Sequence, residues 1–206
     1  MGRIILFALA MAGAMSPLAA APLSVRVVDA SGRPVRDAVV TLNPASGARA
    51  PRTADRYVVS QKNMKFQPFL TIVPTGAEVS FPNFDPTKHH VYSFSPAKRF
   101  ELKLFARDQS RTVRFDKPGV VALGCNIHDA MSAFIFVTNS AWTARTNAQG
   151  LAVFADAPNA PGRVVVWHPY LRSPGGTMQQ GVSAGQRSAS FSIRLRAPPS
   201  MPMSDY

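Results

Sequence analysis

The single cysteine of the chain lies in Gly124-Cys125-Asn126-Ile127-His128-Asp129-Ala130-Met131. A thiol, an imidazole and a thioether thus fall within seven residues. Thiolate and thioether are soft metal ligands and imidazole is borderline, so the set favours copper over ions that seek oxygen. The pair His89-His90 upstream can supply a second imidazole. One Cys, two His and a weak axial Met form a ligand set suited to copper electron transfer. Zinc also accepts Cys and His, but a zinc site with one Cys recruits further Cys, His or carboxylate ligands, and a thioether serves it poorly. A cysteine alone is more often a small buried hydrophobe, and a methionine a filler of cores. It is the joint spacing that points to a metal.

Those donors need a framework, and the rest of the chain predicts an all-β one. Helical periodicity is absent. Short runs rich in β-branched and aromatic residues alternate with Pro, Gly, Asn and Asp turns. Ser24 to Val28 and Asp37 to Leu42 read as strands, with Asp29-Ala30-Ser31-Gly32 as a turn between them. Residues 43–56, rich in Pro, Ala, Gly and Arg, read as a long connection. A second strand series follows over 57–61, 69–73, 78–81, 90–94, 100–105, 112–115, 120–125 and 131–137. Cys125 then ends one strand and Met131 begins the next, which puts the donors on a tight loop between paired strands. In the last of these strands Ala133, Ile135 and Val137 alternate with Phe134 and Phe136, which predicts burial of both faces. Further strands are expected over 151–154, 163–167 and 188–195, with a polar, Gly-rich stretch between the last two. Trp167-His168-Pro169 reads as a core tryptophan followed by a histidine that caps the strand, not as a second metal site.

The first residues point to export. Arg3, the apolar run Ile4 to Met15, the break at Ser16-Pro17 and the small residues Ala19-Ala20-Ala21 make residues 1–21 a signal peptide cleaved near Ala19–Ala21. That run is short of the roughly 20 residues a membrane span needs, and no later segment is longer and as apolar, so no membrane span is expected. A periplasmic location follows. One cysteine cannot form an internal disulfide, and an exported free thiol is best explained by ligation. The formal net charge is +12. Export and the lack of a basic helix argue against nucleic acid, so the charge reads as steering toward an acidic protein partner. Lys88, Lys98, Arg99 and Lys103 form a candidate docking rim near the upstream histidines. No paired carboxylates and no Ser-His-Asp arrangement appear, so a carrier is expected rather than an enzyme. Residues 197–206, with three prolines and few apolar anchors, read as a disordered tail.

Residues 51–139 resemble a cupredoxin (blue-copper) domain of the amicyanin and plastocyanin type. The approach Val73-Pro74-Thr75-Gly76-Ala77-Glu78-Val79-Ser80-Phe81-Pro82-Asn83 carries the resemblance, with His89-His90-Val91, similar to the family's His-Asn-Val. So does Pro118-Gly119, a strand, and then Cys-x-x-His-x-x-Met, with the short amicyanin-like loop. The resemblance implies a Greek-key β-sandwich that holds copper, cycling between Cu(I) and Cu(II), on His89, Cys125, His128 and Met131. His90 stands where the family has Asn and is the alternative to His89. Neighbours on a strand point to opposite faces, so one of the two binds. Asn126 is a candidate for tuning the thiolate from outside the ligand set. The resemblance extends to cupredoxin-like periplasmic proteins associated with methylamine utilisation. It implies a monomer that passes single electrons to a redox partner such as a dehydrogenase or a cytochrome.

Residues 22–50 and 140–196 resemble a transthyretin-like or carboxypeptidase-regulatory-like sandwich, divided in two. Val27-Val28-Asp29, Gly32, Pro34-Val35 and Ala38-Val39-Val40 open the pattern, and Thr146, Gly150 and Phe154 continue it beyond the copper block. The expectation is a discontinuous β-sandwich with the cupredoxin domain, residues 51–139, inserted in it or packed on it. Two other functions fit the same residues: a periplasmic copper carrier or chaperone, and a metal-free β-sandwich that serves in protein interaction.

Overall fold

The structure, a computed structural model, describes residues 22–54 and 56–197. The expected signal peptide and all but the first residue of the expected tail lie outside the described residues. The first strands are β1 (Leu23–Asp29), β2 (Val39–Pro44), β3 (Tyr57–Val58), β4 (Ser60–Gln61), β5 (Phe66–Gln67) and β6 (Leu70–Pro74). The middle ones are β7 (Ala77–Pro82), β8 (His89–Ser95), β9 (Lys98–Phe105), β10 (Ser110–Phe115), β11 (Gly119–Gly124) and β12 (Ser132–Thr138). The chain closes with β13 (Thr143–Arg145), β14 (Leu151–Phe154), β15 (Gly162–Trp167), β16 (Thr177–Val182) and β17 (Ser188–Ile193). The fold is all-β. The one helical element among the described residues is the short 3-10 turn Pro174–Gly176, and none of their helices is long and apolar enough to cross a membrane.

Two cores form, and they share no residue. The first takes its side chains from Leu23 to Leu42, from Trp142, and from Ala152 to Ile193. It lies between the sheets β14-β1-β17 and β13-β2-β15-β16. The period-two pattern explains it: Leu23, Val25 and Val27 of β1 point in while Arg26 points out. The second core draws on Val59 to Val137 and lies between β6-β12-β11-β8-β9 and β10-β7-β3. Here the chain forms hairpins within one sheet, β8–β9 and β11–β12, and crosses between the sheets elsewhere, which gives a Greek-key sandwich.

The sandwiches meet along an aromatic seam. Trp167 of β15 lies 5.7 Å, centroid to centroid, from both Phe134 and Phe136 of β12. Phe69 stacks on Tyr170 at 6.3 Å and meets Phe134 edge-on at 5.5 Å. Both faces of β12 are therefore covered, as the alternation predicts: Ala133, Ile135 and Val137 by their own core, Phe134 and Phe136 by the seam. Trp167 is a correction. It packs in neither core but between the two units, because on β15 it alternates with Val164 and Val166, which fill the first core.

Other differences are local. The expected strand 57–61 divides: β3 joins β7, whereas β4 pairs with β5. Strands β5, β13 and β16 were not expected from the sequence. β16 pairs with β15 over Thr177–Val182 although it is polar, because an edge strand needs only one apolar face. His168 accepts a bond on Nδ1 from the Tyr170 amide at 3.1 Å, which fixes the turn after β15.

Two outcomes are expected. Trp167→Ala lowers unfolding stability by about 3 kcal/mol, measured by denaturant titration, and leaves the metal chemistry of the second sandwich in place. For His168, burial lowers the pKa below its ordinary value of 6.5, with Asp37 and the Arg36 backbone partly opposing. Above that value the ring is neutral in both states; as the pH falls through 6.5 the unfolded chain takes up the proton first, so stability falls until the folded ring also titrates. His168→Asn keeps an acceptor for the Tyr170 amide, and its stability profile between about pH 7 and 5 should be flatter than that of the unmodified protein.

Candidate metal centre

Sequence-distant donors converge at one end of the second sandwich. His89 opens β8, Cys125 directly follows β11, and Met131 directly precedes β12. Strands β11 and β12 pair from Gly119↔Val137 to Gly124↔Ser132, so the loop between them holds Cys125 and Met131 at its two feet. The Met131 amide donates to the His128 carbonyl at 2.9 Å and tightens that loop. Strand β8 lies on the other side of β11, through Tyr92↔Gly124.

Three donors close on a single point. The Nδ1 atoms of His89 and His128 each lie 3.9 Å from Cys125 Sγ. The ligand atoms of all three residues lie within 4.8 Å of one another. The imidazole rings are tilted at 58° with centroids 5.0 Å apart. A metal–sulfur bond of ~2.3 Å and a metal–nitrogen bond of ~2.0 Å together reach ~4.3 Å. A separation of 3.9 Å is short enough for one ion to bond both atoms through a bent angle. Cys125 is 3% exposed, Met131 2% and His89 0%. His128 is half-buried, between exposed Ile127 and Asp129. Thiolate, two imidazoles and a nearby thioether make this group one that can bind copper.

His90 goes elsewhere. The β8–β9 register shifts between His89 and Val91, and both histidines are buried. His90 Nε2 lies 2.8 Å from Glu101 Oε1 on β9, whereas its Nδ1 has no partner. It is not part of the three-donor group. Asn126 is exposed and lines a groove with His90, Glu101 and Ile127.

One functional side chain was not anticipated from the sequence. Asp85 Oδ2 lies 2.8 Å from His89 Nε2, and both groups are buried. Asp85 also accepts the amides of Asn63 at 2.6 Å and Met64 at 2.9 Å. Burial opposes its ionisation, but the Met64 amide, the His89 ring and the Asn63 amide together hold its carboxyl below the ordinary carboxylate value. An ionised Asp85 takes the proton of Nε2 as a hydrogen bond, which leaves the Nδ1 lone pair of His89 turned toward the sulfur. Asn83, wholly buried, fixes Asp85 in turn: its Oδ1 accepts the Asp85 amide, and its Nδ2 donates to the carbonyls of Thr87 and Phe105. The only sequence signal is an acidic residue four places before His89, inside a segment that reads as an ordinary turn.

No family model matches the chain, and no curated protein matches it. Among solved structures it is similar to a point mutant of amicyanin in its reduced Cu(I) form, with 20% identity, 48% of this chain and 98% of that one covered, and a TM-score of 0.38. It is similar to a purple cupredoxin from Nitrosopumilus maritimus, with 17% identity, 40% and 99% coverage, and a TM-score of 0.36. A copper-containing nitrite reductase from Thermus scotoductus SA-01 has 21% identity, 55% and 28% coverage, and a TM-score of 0.39.

Removing the Asp85 carboxylate unties His89. Asp85→Ala is expected to cost about 3 kcal/mol of stability, since it leaves buried donors unpaired, and to weaken metal binding by about 10- to 100-fold. Competition against a chelator of known affinity measures the second effect. Because the folded Asp85 titrates below 3.8, its contribution is complete above that pH and is lost as the pH falls through the folded value.

Proposed function

We propose that this protein is an exported type-1 copper protein that carries single electrons between periplasmic redox partners. His89, Cys125 and His128 would be the strong ligands and Met131 the weak one. The observation that carries this reading is the pair of imidazole nitrogens, each 3.9 Å from one buried sulfur. Bound copper would supply a one-electron couple; the protein supplies a site that stays the same on both sides of it. Cys125 and Met131 stand at the feet of a strand-anchored loop, and Asp85 braces His89, so the donors have little room to rearrange. That rigidity favours electron transfer over a carrier, which must release its ion by moving ligands. A carrier rather than an enzyme is part of this proposal.

His128 marks the side from which electrons would enter and leave. It is the half-exposed donor, and beside it the exposed Ile127 and Leu104 border a groove of about 370 Å³ shared with His90, Glu101, Lys103 and Asn126. Lys88, next to His89, and Lys103, on the groove, are exposed at this end, whereas Lys98 and Arg99 pair with Ser95 and Phe94 at the far end of the β8–β9 hairpin and fall outside the expected rim. Apolar contact within a basic rim suits an acidic redox protein, such as a dehydrogenase or a cytochrome. The inner sandwich would be an inserted cupredoxin-like domain, residues 51–139, and the outer segments 22–50 and 140–196 a transthyretin-like unit that bears it. Methylamine utilisation is the process with which this kind of protein is associated by resemblance.

Adding Cu(II) to the exported protein should produce an intense visible band from the thiolate, together with a reversible one-electron reduction. Cys125→Ser should abolish the band. Copper uptake with no Cys125-dependent band, or rapid loss of the ion to a weak chelator, would defeat the electron-transfer reading; the second result would favour the copper carrier.

A further inference from the structure

Charge is unevenly matched in the outer unit. Residues 22–50 and 140–196 hold ten arginines, no lysine and three acidic residues, Asp29, Asp37 and Asp156. All three acids are engaged. Asp29 pairs with Arg33 at 2.9 Å, Asp37 with Arg36 at 3.2 Å and Arg145 at 3.6 Å, and Asp156 with Arg49. The other arginines of this unit have no acidic partner among the described residues, and three of them, Arg172, Arg194 and Arg196, line one groove of about 540 Å³.

Backbone pairing creates that convergence. The Arg172 amide donates to the Arg194 carbonyl, and the Arg196 amide to the Tyr170 carbonyl, each at 2.8 Å. Leu171 and Leu195 bridge between these two segments and pack against the first core. With the leucines turned inward, the period of two turns Arg194 and Arg196 to the outer face. Strand β1 runs parallel to β17 up to Asp29↔Ile193, which brings the turn bearing Ser31 and Arg33 to the rim of the same groove. Asp29, the groove's one acid, is already bonded to Ser31 and Arg33. Arg196 has one further bond, from Nη2 to the Pro169 carbonyl at 3.2 Å. The ring of Tyr170 forms a wall.

We propose that this groove binds a phosphate-bearing anion. Three guanidiniums in excess match an anion of charge two or more, and planar forks that donate paired hydrogen bonds fit the oxygens of a phosphate better than lysine would. A single carboxylate leaves most of that charge unmatched. The site lies on the outer unit, and it stands whether or not the inner one holds copper.

The test is calorimetric titration of the exported protein with inorganic pyrophosphate at low salt, beside sedimentation with phosphatidylglycerol and phosphatidylcholine vesicles. Two variants of equal charge change are compared: Arg172→Glu with Arg194→Glu in the groove, and Arg163→Glu with Arg187→Glu outside it. One pyrophosphate per chain is expected, weakened about tenfold or more by the groove pair and little by the other. Capture by phosphatidylglycerol vesicles with the same variant dependence identifies a lipid headgroup as the source; pyrophosphate binding alone identifies a free anion. Equal weakening by both variants would reduce the effect to general charge attraction and overturn the site, as would binding of neither probe. If melting shows that the groove pair no longer folds, Arg172→Gln with Arg194→Gln makes the same comparison against Arg163→Gln with Arg187→Gln.

Discussion

The donor group gathers beside a crossing of two strands at which one residue has no side chain. Strands β8 and β11 meet at Tyr92↔Gly124. A Cβ on Gly124 would fall 2.7 Å from the Tyr92 ring, inside any real contact distance. The ring lies in a row between His90 at 5.7 Å and the exposed Phe94 at 5.1 Å. Gly124 immediately precedes Cys125, and Tyr92 follows His89 by three residues. The close crossing lies next to both the sulfur and the first imidazole, which stand 3.9 Å apart. A larger residue at 124 would have to displace the far end of the Tyr92 ring at this crossing, beside Cys125.

A second constraint acts on the other foot of the loop. Met131 leads straight into β12, and β12 is covered on both faces, on one by its own core and on the other by Phe69 and by Trp167 from across the seam. The outer unit thus packs on the strand that follows the loop, through Trp167. The chain enters and leaves the inner unit at neighbouring points, since the Ala141 amide donates to the Arg49 carbonyl at 2.9 Å. Arg145 also reaches from the outer unit to the Leu70 carbonyl at 3.4 Å. Two crossings held side by side and an aromatic seam resist relative motion in a way that a single flexible linker does not.

The features legible in the sequence were those that depend on local pattern. The alternation in β12, the turn where β1 ends and the Cys-x-x-His-x-x-Met spacing each belong to one segment, and strand positions followed from them to within a few residues. What was not legible depended on tertiary placement. Asp85 resembles any turn carboxylate until the fold turns it toward His89. Trp167 has the composition of a core residue, and only the pairing of β15 shows that it faces the other unit. That His89, and not His90, stands beside Cys125 and His128 depends on how β8 is placed against β11, which no single strand encodes. Edge strand β16, built mainly of Thr, Met, Gln and Gly, carries no apolar run to announce it.

Charge divides along the same boundary as the cores. All six lysines and both glutamates fall within residues 51–139, and the outer segments have arginine alone as their permanent cation. Lysine is a flexible, strongly hydrated point charge that steers an encounter without fixing its geometry. Arginine holds oxyanions through paired, directional bonds, which suits a contact that persists. The two sandwiches thus differ in the cations they present: lysine occurs only on the inner one, and the outer one relies on directional guanidinium forks.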